Sequence, residues 1–283
     1  VNAGTVNGSF SFSAIENLTG GSGKDTFAFT GNGSLAGSIN GGSGSNMLDY
    51  SGYTAGGVQI NLGSNQATGL GGTFISIASF IGSPVVDKIT GPDTDTIFQI
   101  TGANKVTVNG LNFNGFESLN GGSGNDSFKF ADGAGISGTI DGGAGTDIID
   151  FSAYTTGVTA NLAGQLVAGG LTGSIKDVEN LTGGKGDDTL TGNDSNNIII
   201  GGGGKDIMDG GKGNDEYIFN GGWGSGDEIV DAEGDDTVTF ASLTVALTFN
   251  LNEGTLIVSD GVNTLQHSGY TIEHIIGGAG NDI

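Results

Sequence analysis

The sequence predicts an all-β solenoid of stacked parallel strands, and three observations carry that expectation. Glycine makes up 59 of 283 residues while proline occurs twice, at Pro84 and Pro92, about threefold above the usual glycine share of ~7%. Four consecutive nine-residue units run from Gly183 to Ile218. A longer unit recurs, so that Gly20 matches Gly121 and Gly82 matches Gly183.

The nonapeptides read GGKGDDTLT, GNDSNNIII, GGGGKDIMD and GGKGNDEYI. Each is a glycine-rich half with a carboxylate or amide at position six, then a short half with an apolar residue at position eight. Glycine permits positive φ, so the first half can curl with its carbonyls turned inward. The second half is a strand, and Leu190, Ile199, Met208 and Ile218, with Tyr217 beside it, are expected to face the interior. One such unit cannot bury its own apolar face, so the units must stack.

Stacking has an electrostatic consequence. Asp188, Asp206 and Asp215, with Asn197 as a neutral member, would be crowded together, and carboxylates ~4 Å apart repel by several kcal/mol near a surface. A hard divalent cation taking six to eight oxygens relieves this, and calcium tolerates the irregular geometry better than magnesium. The net charge of −23 points the same way, since a chain so self-repelling compacts better with bound cations. All eight basic residues are lysine, a balance opposite to that of a nucleic-acid binder. Without cysteine, neither disulfides nor thiolate metal sites contribute.

The pattern G-G-x-G-x-D-x-apolar-x resembles the calcium-binding nonapeptide of RTX (repeats-in-toxin, haemolysin-type) proteins. The resemblance implies a right-handed parallel β-roll, two nonapeptides per turn, with calcium between the glycine loops of successive turns. It would place Asp188 and Asp206 on one side and Asn197 and Asp215 on the other. The unit 192–200 departs from the pattern, with Asn193, Ser195 and Asn197 where Gly, Gly and Asp are expected, which implies a weaker site.

The expected organisation is an N-terminal β-helix unit over 1–82, a second copy over 83–182, the tandem roll over 183–220, an acidic strand-rich connector over 221–271, and a further repeat from 272. Ile15-Glu16-Asn17-Leu18 and Phe116-Glu117-Ser118-Leu119 open glycine loops in the two copies. The phrase returns at Val178 and at Ile272-Glu273-His274-Ile275. Within each copy, loops 21 residues apart (Gly20 and Gly41, Gly121 and Gly142) read as one long coil. They yield two further candidate cation pairs, Asp126 with Asp147 and Asp25 with Asn46, while Asp282 closes a last nonapeptide. At ~4.8 Å per stacked strand the rod would have roughly 14 coils and be ~65 Å long.

Between Leu243 and Val258 apolar and polar residues alternate towards a turn at Asn252-Glu253-Gly254. Asp227, Asp231, Asp235 and Asp236 suit either a further ion or a solvated acidic edge that discourages strand pairing. Trp223 suits a cap over the end coil better than a sugar platform. Neither His267 nor His274 lies in H-E-x-x-H, so no metalloprotease motif is present, and both read as satisfied surface residues. No serine has the nucleophile-elbow glycines, and the isolated lysines form no acid/base constellation, so catalysis is not expected. Asn17-Leu18-Thr19 and Asn180-Leu181-Thr182 match the glycosylation sequon as chance matches.

No apolar run approaches the ~20 residues of a membrane span, and both ends look cut from something longer. The resemblance to very large bacterial surface proteins and adhesins implies a secreted, calcium-stabilised structural segment, exported by a type I route to the cell surface. Fibre or layer self-association and a surface polysaccharide are its possible partners. The alternative is a carbohydrate-binding or carbohydrate-processing β-helix.

Overall fold

The computed structural model describes residues 3–6, 10–13, 15–252, 255–268 and 272–283. Among the described residues every helix or strand is a strand, and two long sheets of 13 and 14 strands dominate. In the nonapeptide array, strands alternate between them: Thr189–Asn193 and Ile207–Gly211 enter one sheet, Ile198–Ile200 and Glu216–Ile218 the other. Pairing is parallel, with Leu190 opposite Met208 and Ile199 opposite Tyr217. The long coils also pair in parallel, Leu119 opposite Ile140 and Phe128 opposite Ile149. With 13 and 14 strands spaced ~4.8 Å apart, the stack extends about 60 Å.

Alternation along each strand puts one residue in two between the sheets. Leu190, Ile199 and Met208 are buried there, as expected. In the fourth nonapeptide the inward residue is Tyr217, whereas Ile218 is half-buried; position eight, not the more apolar neighbour, decides. Because the sheets repeat at strand spacing, like residues sit over like. Phe98 lies over Phe128 and Phe219 over Phe240, with ring centroids 4.9 and 5.0 Å apart, within the range of favourable offset stacking.

Antiparallel pairing interrupts the parallel coils. Three antiparallel meanders are spliced into the parallel sheets: Ile97–Gly102, Lys105–Val108 and Leu111–Asn114; Thr159–Asn161, Gln165–Ala168 and Leu171–Lys176; and Thr248–Asn252, Thr255–Ser259 and Thr264–Ser268. Tight turns drive the reversals. Asn109-Gly110 and Gly169-Gly170 all have positive φ, as a two-residue hairpin turn matching strand twist requires. The antiparallel pairing at 248–259 agrees with the expected turn, although Glu253 and Gly254 lie outside the described residues.

Two expectations fail. Trp223 is no end cap: it is buried edge-on against Phe219 and Phe240, and further strands continue the stack beyond it. His267 is an interior residue, 2% exposed, with Nδ1 2.9 Å from the Ile229 carbonyl oxygen. His274 does lie at the surface, 3.0 Å from Asp235.

Candidate metal centre

Position six of each glycine turn immediately precedes a strand, so strand stacking puts these side chains in vertical columns. The backbone N–H of one donates to the side-chain oxygen of the next. Along one column Asp188 N–H donates to Asp206 Oδ1 at 2.9 Å and Asp206 N–H to Asp227 Oδ1 at 3.0 Å. Along the other, Asn197 N–H donates to Asp215 Oδ1 at 2.7 Å and Asp215 N–H to Asp236 Oδ1 at 2.8 Å. Asp126 N–H donates to Asp147 Oδ1 at 2.7 Å, and Asp25 N–H to Asn46 Oδ1 at 2.9 Å. Asp282 is exposed and accepts from Leu247 N–H at 2.9 Å. The structure thus brings together every sequence-predicted pair.

The columns also contain residues the sequence reading did not assign. Glu117, Glu179 and Glu273, from the phrase before the glycine loops, accept from Asp87, Asp147 and Asp236 N–H respectively at 2.8–2.9 Å. Asp87 itself accepts from Val58 N–H at 2.6 Å. Its signal was present, since Gly82 to Asp87 repeats the Gly183 to Asp188 spacing. Of the four acids read as a possible solvated edge, Asp227, Asp231 and Asp236 are buried and only Asp235 is at the surface.

Two kinds of turn coexist. In the first, the position-two N–H closes on its own position-six side chain: Gly21 on Asp25, Ser83 on Asp87, Gly184 on Asp188, Asn193 on Asn197, at 2.5–2.8 Å. In the second, the position-two glycine takes φ near +100°, as at Gly122 (+117°), Gly143 (+100°), Gly202 (+97°) and Gly211 (+97°). Its N–H turns away; that of Gly211 goes to Asp209 Oδ1 at 3.1 Å. The carboxylates of these open turns, Asp126, Asp147, Asp206 and Asp215, each keep a buried Oδ2 without a hydrogen-bond partner, as does Asp236.

A buried carboxylate oxygen with no donor is costly. Desolvation is the largest cause pushing these acids upward, to about 6 for Asp147 and Asp215 and about 7 for Asp206 and Asp236. The position-one glycines leave room for the orphaned oxygens and little else: a Cβ at Gly210 would lie 2.0 Å from Asp215 Oδ2, and one at Gly121 would lie 2.1 Å from Asp126 Oδ2. The donor set is carboxylate and carbonyl oxygen throughout, which fits a hard cation.

Stacked glycine turns lined by buried carboxylates define a cation-binding parallel β-roll. The chain matches the family model of the RTX calcium-binding nonapeptide repeat in four copies, over residues 112–134, 139–153, 182–217 and 267–283. It carries RTX repeats, and calcium is the ion those repeats bind. This is a structural calcium-binding family, not a catalytic one, typical of secreted extracellular proteins. No curated protein matches the chain. Among the described residues no helix is long and apolar enough to cross a membrane.

Proposed function

We propose that the chain is a calcium-stabilised structural segment of a secreted bacterial surface protein, a stalk, fibre or layer element whose rigidity depends on external calcium. In this reading Asp25, Asn46, Asp126, Asp147, Asp188, Asn197, Asp206, Asp215 and Asp282 are the ion-facing residues. Residues 183–220 form the tandem roll that follows two copies of the longer unit. The observation that carries the reading is the set of donorless, buried Oδ2 atoms, repeated at Asp126, Asp147, Asp215 and Asp236 along one column and present at Asp206 in the other. Calcium bound there would neutralise the columns, and because the columns exist only in the fold, binding free energy becomes folding free energy. Extracellular sites with dissociation constants on the order of 10⁻⁴ to 10⁻³ M would be filled outside the cell.

The test is far-ultraviolet circular dichroism of the chain, titrated from chelator to ~10 mM calcium with magnesium as the control. A cooperative gain of β signal with calcium alone is expected. A β signal complete in chelator and indifferent to calcium would overturn the reading. Sedimentation of the calcium-loaded chain checks the structural role, with side-by-side or end-to-end assembly expected at high concentration.

A further inference from the structure

The turn after the matched nonapeptides breaks the glycine rule at one position. Residues 231–236, Asp-Ala-Glu-Gly-Asp-Asp, lie over 210–215, Gly-Gly-Lys-Gly-Asn-Asp. The register is set by the Asp215 N–H to Asp236 Oδ1 bond and by the close approach of Gly234 to the Gly213 carbonyl. Asp231 therefore occupies the position that glycine holds in all four nonapeptides. At the equivalent Gly210 a Cβ would collide with a position-six carboxylate. Here a side chain is accommodated, and it brings a third carboxylate with it.

The ligand oxygens of Asp215, Asp231 and Asp236 lie within 4.8 Å of one another, and all three residues are buried. Asp215 and Asp236, only 2% and 0% exposed, are two of the residues whose Oδ2 has no hydrogen-bond partner. Tyr217 fixes Asp231: its hydroxyl donates to Asp231 Oδ2 at 2.6 Å while accepting from Gly210 N–H at 2.5 Å. A hydroxyl whose proton is committed to that oxygen holds it as an acceptor, the form a cation requires.

We propose that Asp215, Asp231 and Asp236 form a three-carboxylate calcium site where the nonapeptide array meets the C-terminal strands, with Tyr217 as the positioning residue for Asp231. The proposal rests on the reading that the column carboxylates take calcium, and adds to one rung of that column a third carboxylate at a position where the repeat pattern has glycine. Affinity of oxygen sites for calcium rises with the number of charged ligands, so this site fills at lower calcium than the two-carboxylate positions. Its concentrated negative charge also suits a trivalent ion, which makes terbium a fitting probe.

Two measurements on the full chain test it. Isothermal titration with calcium should show a tightest class of site that Asp231→Asn weakens at least tenfold, with the remaining classes unchanged. Diffraction from crystals of the unmodified chain soaked in terbium should show an anomalous peak among the three carboxylates. If the variant does not fold in saturating calcium, the peak alone decides. Peaks at Asp126/Asp147 and Asp188/Asp206 with none here would overturn this site while leaving the column reading intact, as would an unchanged calcium isotherm in a folded Asp231→Asn chain. Absence of any peak along either column of a folded chain would remove both.

Discussion

The turns 183–188 and 201–206 lie one above the other in the same column, end in the same residue, and differ in how that residue is satisfied. In the lower turn Gly184 N–H closes on Asp188 Oδ2 at 2.6 Å; in the upper, Gly202 has φ of +97° and Asp206 Oδ2 is orphaned. The other column repeats the contrast, Asn193 closing on Asn197 beneath the open turn of Asp215. What lies underneath explains the difference. Gly202 and Gly211 sit directly on the position-two carbonyls of the nonapeptide turns of Gly184 and Asn193, whereas Gly184 rests on the Tyr154 carbonyl of a turn outside the nonapeptides, so a nonapeptide turn laid on another nonapeptide turn opens. The lesson is that cation demand arises from stacking, not from the single repeat.

The contrast breaks most sharply at the position-two glycines. Gly202→Ala puts a Cβ 2.1 Å from the Gly184 carbonyl at a φ of +97°. Left-handed strain alone costs about 1–3 kcal/mol, and the backbone clash adds to it. Gly21, in the lowest glycine turn among the described residues, has no positive φ and open space around its would-be Cβ, and should accept alanine within about 0.5 kcal/mol. Thermal melts in calcium compare the two. Equal losses would show that the open turns carry no special constraint.

Next in size is the exchange of acid and amide. Asn197 and Asn46 have donors of their own: Asn197 Nδ2 donates to Glu179 O at 2.6 Å and Asn46 Nδ2 to Ser76 O at 3.0 Å. An amide thus engages the carbonyls that an aspartate would leave for an ion. Asp206→Asn should accordingly weaken calcium binding at its site at least tenfold, about 1.4 kcal/mol, while lessening the loss of structure in chelator. Asn197→Asp should do the reverse, adding calcium affinity and making the chain more dependent on it. Isothermal titration reads the first effect and circular dichroism in chelator the second.

Much of this was legible in residue spacing, and the failures have physical causes. The position-six acids, their pairing at 18 and 21 residues and the inward position eight all follow from a repeat that must stack. Asn109-Gly110 and Gly169-Gly170 were readable as hairpin turns, but glycine is so abundant that these two pairs look like more of the same. Glu117, Glu179 and Glu273 were hidden because they reach the column from a phrase that lacks the six-residue glycine turn of the nonapeptides, their longer side chains covering the same span. The open and closed turns differ in no residue type between Gly184 and Gly202. Only the turn beneath distinguishes them, and a linear pattern does not contain it.

The smallest expected effect is on pH dependence, and its sign separates the two states of the columns. Burial raises Asp147 and Asp215 to about 6 and Asp206 and Asp236 to about 7, from an ordinary 3.8. Between those limits the calcium-free folded chain binds more protons than the unfolded one, so its stability falls as pH rises and the penalty is complete above about 7. With calcium bound the dependence inverts. Protons and calcium compete for the same oxygens, so acidification through the same window releases ions and lowers stability. Melts at about pH 5 and about pH 8 should therefore show the chelated chain more stable at the lower value and the calcium-loaded chain more stable at the higher. The effect is modest because a proton neutralises one carboxylate, whereas an ion between two turns ties them together. Parallel pH profiles with and without calcium would mean that the orphaned oxygens are not where the ion binds.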